Sequence, residues 1–137
     1  MNKIILDTHI LIWSLIKPEE LKENIKHNIQ EALDNNSLFI SSITLWEISM
    51  LINKGRLNLY EPKFKFLNDI QSIKGLNIIE INAGIASEST DLPGGFTGDP
   101  ADCLIIASAR SISGTLITRD QQIISWAHKG FLKLINA

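Results

Sequence analysis

Cysteine is almost missing from this 137-residue chain: the single one, Cys103, cannot form an internal disulfide, which points to a reducing, cytoplasmic setting. Long apolar runs are missing too. Although 45% of the residues are hydrophobic, every run is broken well before the roughly 20 residues that a membrane-spanning helix needs, so no membrane segment is expected. The apolar stretch at Ile4-Ile5-Leu6 is too short for a signal peptide. Excess charge of either sign is absent, with a formal net charge of -2, so a nucleic-acid partner would have to meet a local basic patch rather than a global field. The three histidines, His9, His27 and His128, are scattered, and with one cysteine they leave no imidazole or thiolate metal site. No Gly-x-Ser-x-Gly elbow supports a hydrolase triad. The cluster Gly94-Gly95-Phe96-Thr97-Gly98 has neither the spacing nor the preceding strand of a dinucleotide fingerprint.

What is present is an alternation of short apolar runs and amphipathic stretches, with no internal repeat, and the length suits a single domain over residues 1–137. Ile4-Ile5-Leu6 reads as a strand buried on both faces, and residues 8–15 as the helix that follows. Leu21, Ile25, Ile29 and Leu33 recur every fourth residue and predict a helix over 19–34. A strand is expected at 38–40, a helix over 44–53 closed by Gly55, and a helical face at Phe66, Leu67, Ile70 and Ile73. Strand 77–81, helix 83–89, helix 100–112, strand 115–118, helix 121–128 and strand 131–135 complete the series. Residues 91–98, with three glycines and a proline, are expected to form a mobile connection. The fold class is therefore α/β: a mostly parallel, twisted sheet flanked by helices on both faces.

Acidic residues stand beside these apolar runs at Asp7, Glu47, Asp102 and Asp120. In parallel sheets ligands bind beyond the carboxyl ends of the strands, and Asp7 and Asp120 follow their strands at that edge. Asp99 and Asp102 open a helix near the same edge, so sequence order predicts one acidic mouth. Carboxylates gathered there repel one another and lose solvation, an arrangement that a divalent cation relieves. Each residue also has a purely structural explanation. Asp7 and Asp120 can cap the helices that follow them, and Asp99 before Pro100 suits an N-cap better still. Asp102 in the first turn gains about 0.3 to 1 kcal/mol from the helix dipole. Glu47 can close a capping box with Thr44, yet it lies between Trp46 and Ile48 in an apolar segment where glutamate is rarely buried alone. Capping accounts for the acids one at a time; only a shared site accounts for their common edge.

Asp7-Thr8-His9, Trp46-Glu47-Ile48, Asp99-Pro100-Ala101-Asp102 and Thr118-Arg119-Asp120, in this order along the whole chain, resemble the motifs of PIN-domain ribonucleases, with VapC-type toxins the nearest match. Each motif alone is weak; the ordered set is specific. The resemblance implies a PIN-like fold, with Asp7, Glu47, Asp102 and Asp120 as metal-binding acids, Asp99 as an extra acid of one toxin subgroup, and Thr8 and Thr118 as supporting hydroxyls. It further implies Mg2+ (or Mn2+) dependent endonucleolytic cleavage of RNA, and a homodimer inhibited by a small VapB-like antitoxin. Ala101 and Cys103 depart from the subgroup's aromatic and arginine. The chemistry suits the residues: hard cations prefer oxygen ligands, and a metal-activated water can attack phosphorus in line. Asp7, Glu47 and Asp102 are expected to hold a first ion, with Asp120 completing the shell or serving a second. The alternative is a non-catalytic RNA- or protein-binding module on the same fold.

Other residues carry weaker expectations. Lys54 and Arg56 in the densest basic stretch, and Arg119 beside Asp120, are candidate RNA contacts, with solvated surface or an acid partner as the ordinary explanations. His9 reads as packed or hydrogen-bonded, and His27 and His128 as surface. Cys103 reads as a small buried hydrophobe. Trp13, Trp46 and Trp126 sit on apolar helical faces and read as core or interface rather than base-stacking platforms. A haloacid-dehalogenase-like phosphatase would require a second aspartate that Asp7-Thr8-His9 lacks.

Overall fold

A computed structural model describes residues 2–137 and shows the expected alternation. In chain order the elements are β1 (Ile4–Leu6), α1 (Thr8–Ile16), α2 (Glu23–Asp34), β2 (Leu38–Ser41), α3 (Ser42–Asn53), α4 (Lys63–Gln71), β3 (Leu76–Ile79), α5 (Ala83–Ser89), α6 (Pro100–Ser111), β4 (Thr115–Thr118), α7 (Gln121–Ala127) and β5 (Lys133–Asn136). The strands form one wholly parallel sheet in the order β3-β2-β1-β4-β5.

Alternation of side chains across the pleat sends residues of the same strand into two different cores. Ile4 and Leu6 of β1 join Leu38, Ile40 and Ile117 under a layer from α1, α2, α3 and α4. Ile5 points the other way, with Leu116, into a core formed by α5, α6 and α7. Burial on both faces is what an all-apolar strand requires, and Ile5 and Leu6 are fully buried. Burying each such side chain is worth about 1.5–3 kcal/mol, so the three residues of β1 anchor both layers at once.

Strand order reverses at β1. The chain proceeds outward through β2 and β3, then returns to place β4 and β5 on the other side of β1. Helices that follow β1 and β4 diverge to opposite faces, opening a crevice at the carboxyl ends of these two strands, the preferred ligand position in open parallel sheets.

Several element ends differ from the sequence expectation for local reasons. The helix expected over 19–34 divides, because Pro18 opens a separate 3-10 turn, Pro18–Glu20, before α2. α3 begins at Ser42, directly from β2; Ser41 caps it, its Oγ accepting from Ile43 N–H at 3.3 Å, so Thr44 is inside the helix and not its cap. β5 starts at Lys133 because Phe131 stacks on Trp126 instead, with ring centroids 5.4 Å apart. The 91–98 connection is fastened rather than loose: Trp126 Nε1–H donates to the Pro93 carbonyl at 2.7 Å, Gln122 Nε2 donates to the Thr97 carbonyl at 2.8 Å, and Phe96 packs on the Trp126 ring. Gly75 shows why glycine ends the turn before β3. Its φ is +92° and an added Cβ would lie 2.2 Å from the Leu33 carbonyl oxygen.

Candidate metal centre

Five carboxylates from four segments line one cleft of about 420 Å³ at the carboxyl edge of the sheet: Asp7, Glu47, Asp99 and Asp102 at the start of α6, and Asp120. Asp7 is the first residue past β1, and its N–H still bonds the Ile117 carbonyl at 3.1 Å, holding it against the end of β4. Across the crevice Thr118 Oγ1–H donates to Asp7 Oδ2 at 2.6 Å, while Asp7 Oδ1 accepts from Thr8 N–H at 2.8 Å. Thr118 Oγ1 also accepts from Asp120 N–H at 3.1 Å, so this one buried hydroxyl positions both aspartates at the strand-order reversal.

Glu47 is brought in from α3 by a second hydroxyl relay. Thr8 Oγ1 lies 2.5 Å from Glu47 Oε1 and 3.1 Å from Thr44 Oγ1. A hydroxyl has one proton, and a carboxylate can only accept; Thr8 therefore donates to Glu47, and Thr44 donates to Thr8. Thr8 and Thr44 are both buried, so the direction of this relay is set by the protein alone. Thr44 is a site residue that sequence reasoning missed. Its spacing of three from Glu47 was the available signal, but that spacing also fits a capping box.

Asp99 and Asp120 are helix caps as well as cleft residues. Asp99 Oδ1 accepts from Asp102 N–H at 2.9 Å, and Asp120 Oδ1 accepts from Gln122 and Ile123 N–H at 2.9 and 3.1 Å. Asp102 differs, because no side chain or N–H of a described residue donates to its carboxylate. Burial, and after it the charges of Asp99, Asp7, Asp120 and Glu47, push its pKa up to about 7. Burial also raises Asp7, opposed by its bond from Thr118, and raises Glu47, opposed by its bond from Thr8. None of the ion pairs among the described residues involves a cleft acid. The cleft is thus rich in oxygen donors and short of positive charge, the chemistry of a hard-cation site. Among the described residues no three His, Cys, Asp or Glu side chains converge into a ready-made cage. That spread suits an ion that keeps several waters and takes only one or two carboxylates directly, as Mg2+ does.

The remaining candidates separate clearly. Arg119 lines the cleft, but its guanidinium is engaged structurally: Nε donates to the Ala137 carbonyl at 3.1 Å, Nη2 to the Glu20 carbonyl at 2.7 Å, and Cζ sits 4.4 Å from the Trp13 ring centroid. Lys54 is the exposed C-cap of α3 and lines no part of the acid cleft, whereas Arg56 lines an adjoining one. His9 is exposed and faces the acids, contrary to a packed histidine, with its ring 5.8 Å from that of Trp13. Cys103 is buried in the α6 core as expected, and Trp126 likewise. Trp46 is 57% exposed and belongs to no core. A larger cleft of about 510 Å³ lies between α1 and α4, lined by Leu15, Tyr60, Phe66 and Ile73 among others; its two carboxylates, Glu61 and Asp69, are both paired with Lys65.

Similarity to known proteins follows the same geometry. The chain is 29% identical over 128 residues to Ribonuclease VapC22 of Mycobacterium tuberculosis, covering 93% of this chain and 95% of that protein. Its fold superposes on VapBC2 from Rickettsia felis, solved bound to a DNA fragment from their promoter, with a TM-score of 0.70, 24% identity and 97% of each chain covered. VapBC-5 from Mycobacterium tuberculosis, a member of the VapBC family of toxin-antitoxin systems, gives a TM-score of 0.62 at 16% identity with both chains fully covered. The sequence pattern of the PIN domain matches residues 4–129, nearly the whole length, and the chain belongs to the PIN domain family.

Proposed function

We propose that this protein is a divalent-metal-dependent endoribonuclease of the VapC toxin type, working in the cytoplasm on RNA and held in check by a small antitoxin protein. The observation that carries the reading is the gathering of five carboxylates, none of them in an ion pair among the described residues, on the crevice where the strand order reverses. Asp7, Glu47 and Asp102 are the residues assigned to the ion, one or two of them directly and the rest through its waters, with Asp120 completing its surroundings and Asp99 fixing the start of α6. Mg2+ or Mn2+ bound there would supply charge neutralisation at the phosphate and a more acidic water.

The chain's own groups set the rest. Thr118 points Asp7 across the crevice and Thr8 does the same for Glu47, through bonds that favour the charged form and oppose the upward shift that burial imposes on both acids. Asp102, without such a donor, is the acid whose charge depends most on a cation. The relatives named VapC and VapBC support both the ribonuclease activity and the antitoxin partner. Exposed Tyr60 and Phe64 near α4, and Trp46 on α3, are large apolar side chains of the kind that protein partners or a homodimer interface cover.

The test is cleavage of single-stranded RNA by the purified protein with Mg2+ or Mn2+ and with EDTA. Metal-dependent cleavage that disappears in Asp7→Asn and in Asp102→Asn is the expected result. Cleavage that persists in both variants refutes the assignment, and RNA binding without turnover at any metal concentration makes the protein a binding module.

A further inference from the structure

Beside the acid cleft lies a second one of about 270 Å³, and the two share a wall made of His9 and Trp13. Its chemistry is the opposite. No carboxylate lines it; Lys17 and Arg56 stand exposed at its rim, and half-buried Leu51 and Leu57 form an apolar side. Neither Lys17 nor Arg56 is paired with an acid among the described residues. We propose that this cleft seats the nucleotide next to the scissile phosphate, with Arg56 and Lys17 gripping its backbone and Leu51 and Leu57 receiving the face of its base.

The inference rests on the ribonuclease reading and adds to it the contact that holds the substrate. Five carboxylates repel an RNA backbone, and a bound divalent ion offsets that only at one phosphate. The chain's net charge of -2 gives no long-range attraction, so grip must come from cations placed beside the acids. Arg56 and Lys17 are the cations of the cleft that adjoins the acid mouth; Arg119 is committed to Ala137 and Glu20, and Lys54 lies outside. His9, exposed on the shared wall, stands where a strand passing from one cleft to the other must cross. A splayed single-stranded base suits a shallow pocket with an apolar side and a charged rim, since base faces are apolar and backbone phosphates are not.

The experiment compares the metal-loaded parent with Lys17→Ala/Arg56→Ala on a labelled single-stranded oligoribonucleotide. Both residues are exposed, so the fold is preserved and its melting temperature serves as the control. The double variant is expected to raise KM about tenfold at unchanged kcat, the mark of lost uniform binding. The slope of log(kcat/KM) against log[salt] should become shallower by about 0.7 for each phosphate contact removed, a change that a structural role does not produce. An active double variant with parental KM and salt slope overturns the proposal and leaves the cleft to a protein segment; a loss confined to kcat overturns it as well. A parent that cleaves no RNA refutes the ribonuclease reading itself, and this proposal with it, a result visible without any variant.

Discussion

Thr118 offers a test in which stability and metal binding should fall in the same order, valine losing more of both than serine. Its side chain is fully buried at the end of β4; its hydroxyl donates to Asp7 at 2.6 Å and accepts from Asp120 N–H at 3.1 Å, while its methyl packs into the sheet. Thr118→Val keeps the shape and removes both bonds. A hydrogen bond to a charged group is worth about 1.5–3 kcal/mol, so the loss at neutral pH is about 2–3 kcal/mol. Thr118→Ser keeps both bonds and removes one buried methyl, costing about 1 kcal/mol with its cavity. At about 4 °C per kcal/mol for a domain of this size, melting in EDTA should fall by about 8–12 °C for valine and about 4 °C for serine. Isothermal titration with Mn2+ should then show valine binding about 10- to 100-fold more weakly, the usual effect of removing a group that orients a metal ligand, and serine binding close to the parent. If valine titrates like the parent, or melts above serine, Thr118 does not hold Asp7 in the way the geometry indicates.

Three other perturbations separate charge, relay and backbone. Raised acids make the metal-free native state bind more protons than the unfolded chain between about pH 4 and 7, so unfolding free energy should fall as pH rises through that window; Asp102→Asn should flatten the curve of melting temperature against pH, raise stability at pH 8 and abolish cleavage, and an unaltered pH profile would refute the charge argument. Thr44→Val, which removes the donor to Thr8, should lower stability by about 1 kcal/mol and weaken metal binding without touching the cleft surface, measured by thermal melts and titration; unchanged affinity would show that Thr8 positions Glu47 unaided. Gly75→Ala should cost about 2 kcal/mol or more in denaturant unfolding, because its φ of +92° and the Leu33 carbonyl leave no place for a Cβ; a variant as stable as the parent would mean the turn is free to rearrange.

The layout of the sheet was legible because apolar runs of three or four residues followed by helical spacing have few alternatives in a chain this short. The acids were legible for the same reason: Asp7 directly follows such a run, Asp120 comes two residues after the end of another strand, and Asp99 precedes a proline. Capping and cleft lining had looked like competing explanations, but Asp99 and Asp120 do both: Oδ1 of each accepts the helix N–H groups, no described donor bonds the second oxygen, and both residues line the cleft. What escaped lies on helices that are apolar nearly all round. In α1 and α3 the spacing does not reveal which side faces out, so the exposure of His9 and Trp46 and the inward position of Thr44 were hidden. The structural engagement of Arg119 was hidden for another reason. Its partners, Ala137 and Glu20, are 18 and 99 residues away in sequence, and contacts of that kind have no local signature.

A cleft of like charges opposes folding, and the molecule limits this unevenly. Asp7 and Glu47 receive hydroxyl protons, and Asp99 and Asp120 receive helix N–H groups whose unsatisfied dipoles favour negative charge. Four of the five acids therefore have part of their lost hydration replaced by the protein. Asp102 has none of it replaced, and Asp99, whose Oδ1 accepts from the Asp102 backbone N–H, adds to the repulsion on the Asp102 carboxylate. Replacing the hydration of Asp102 as well would have required another donor in the cleft, and that donor would compete with a cation for the same oxygen. Leaving one acid without a partner makes the gain from ion binding greatest at Asp102, so the ion-linked rise in stability should be lost most completely when that residue is neutralised.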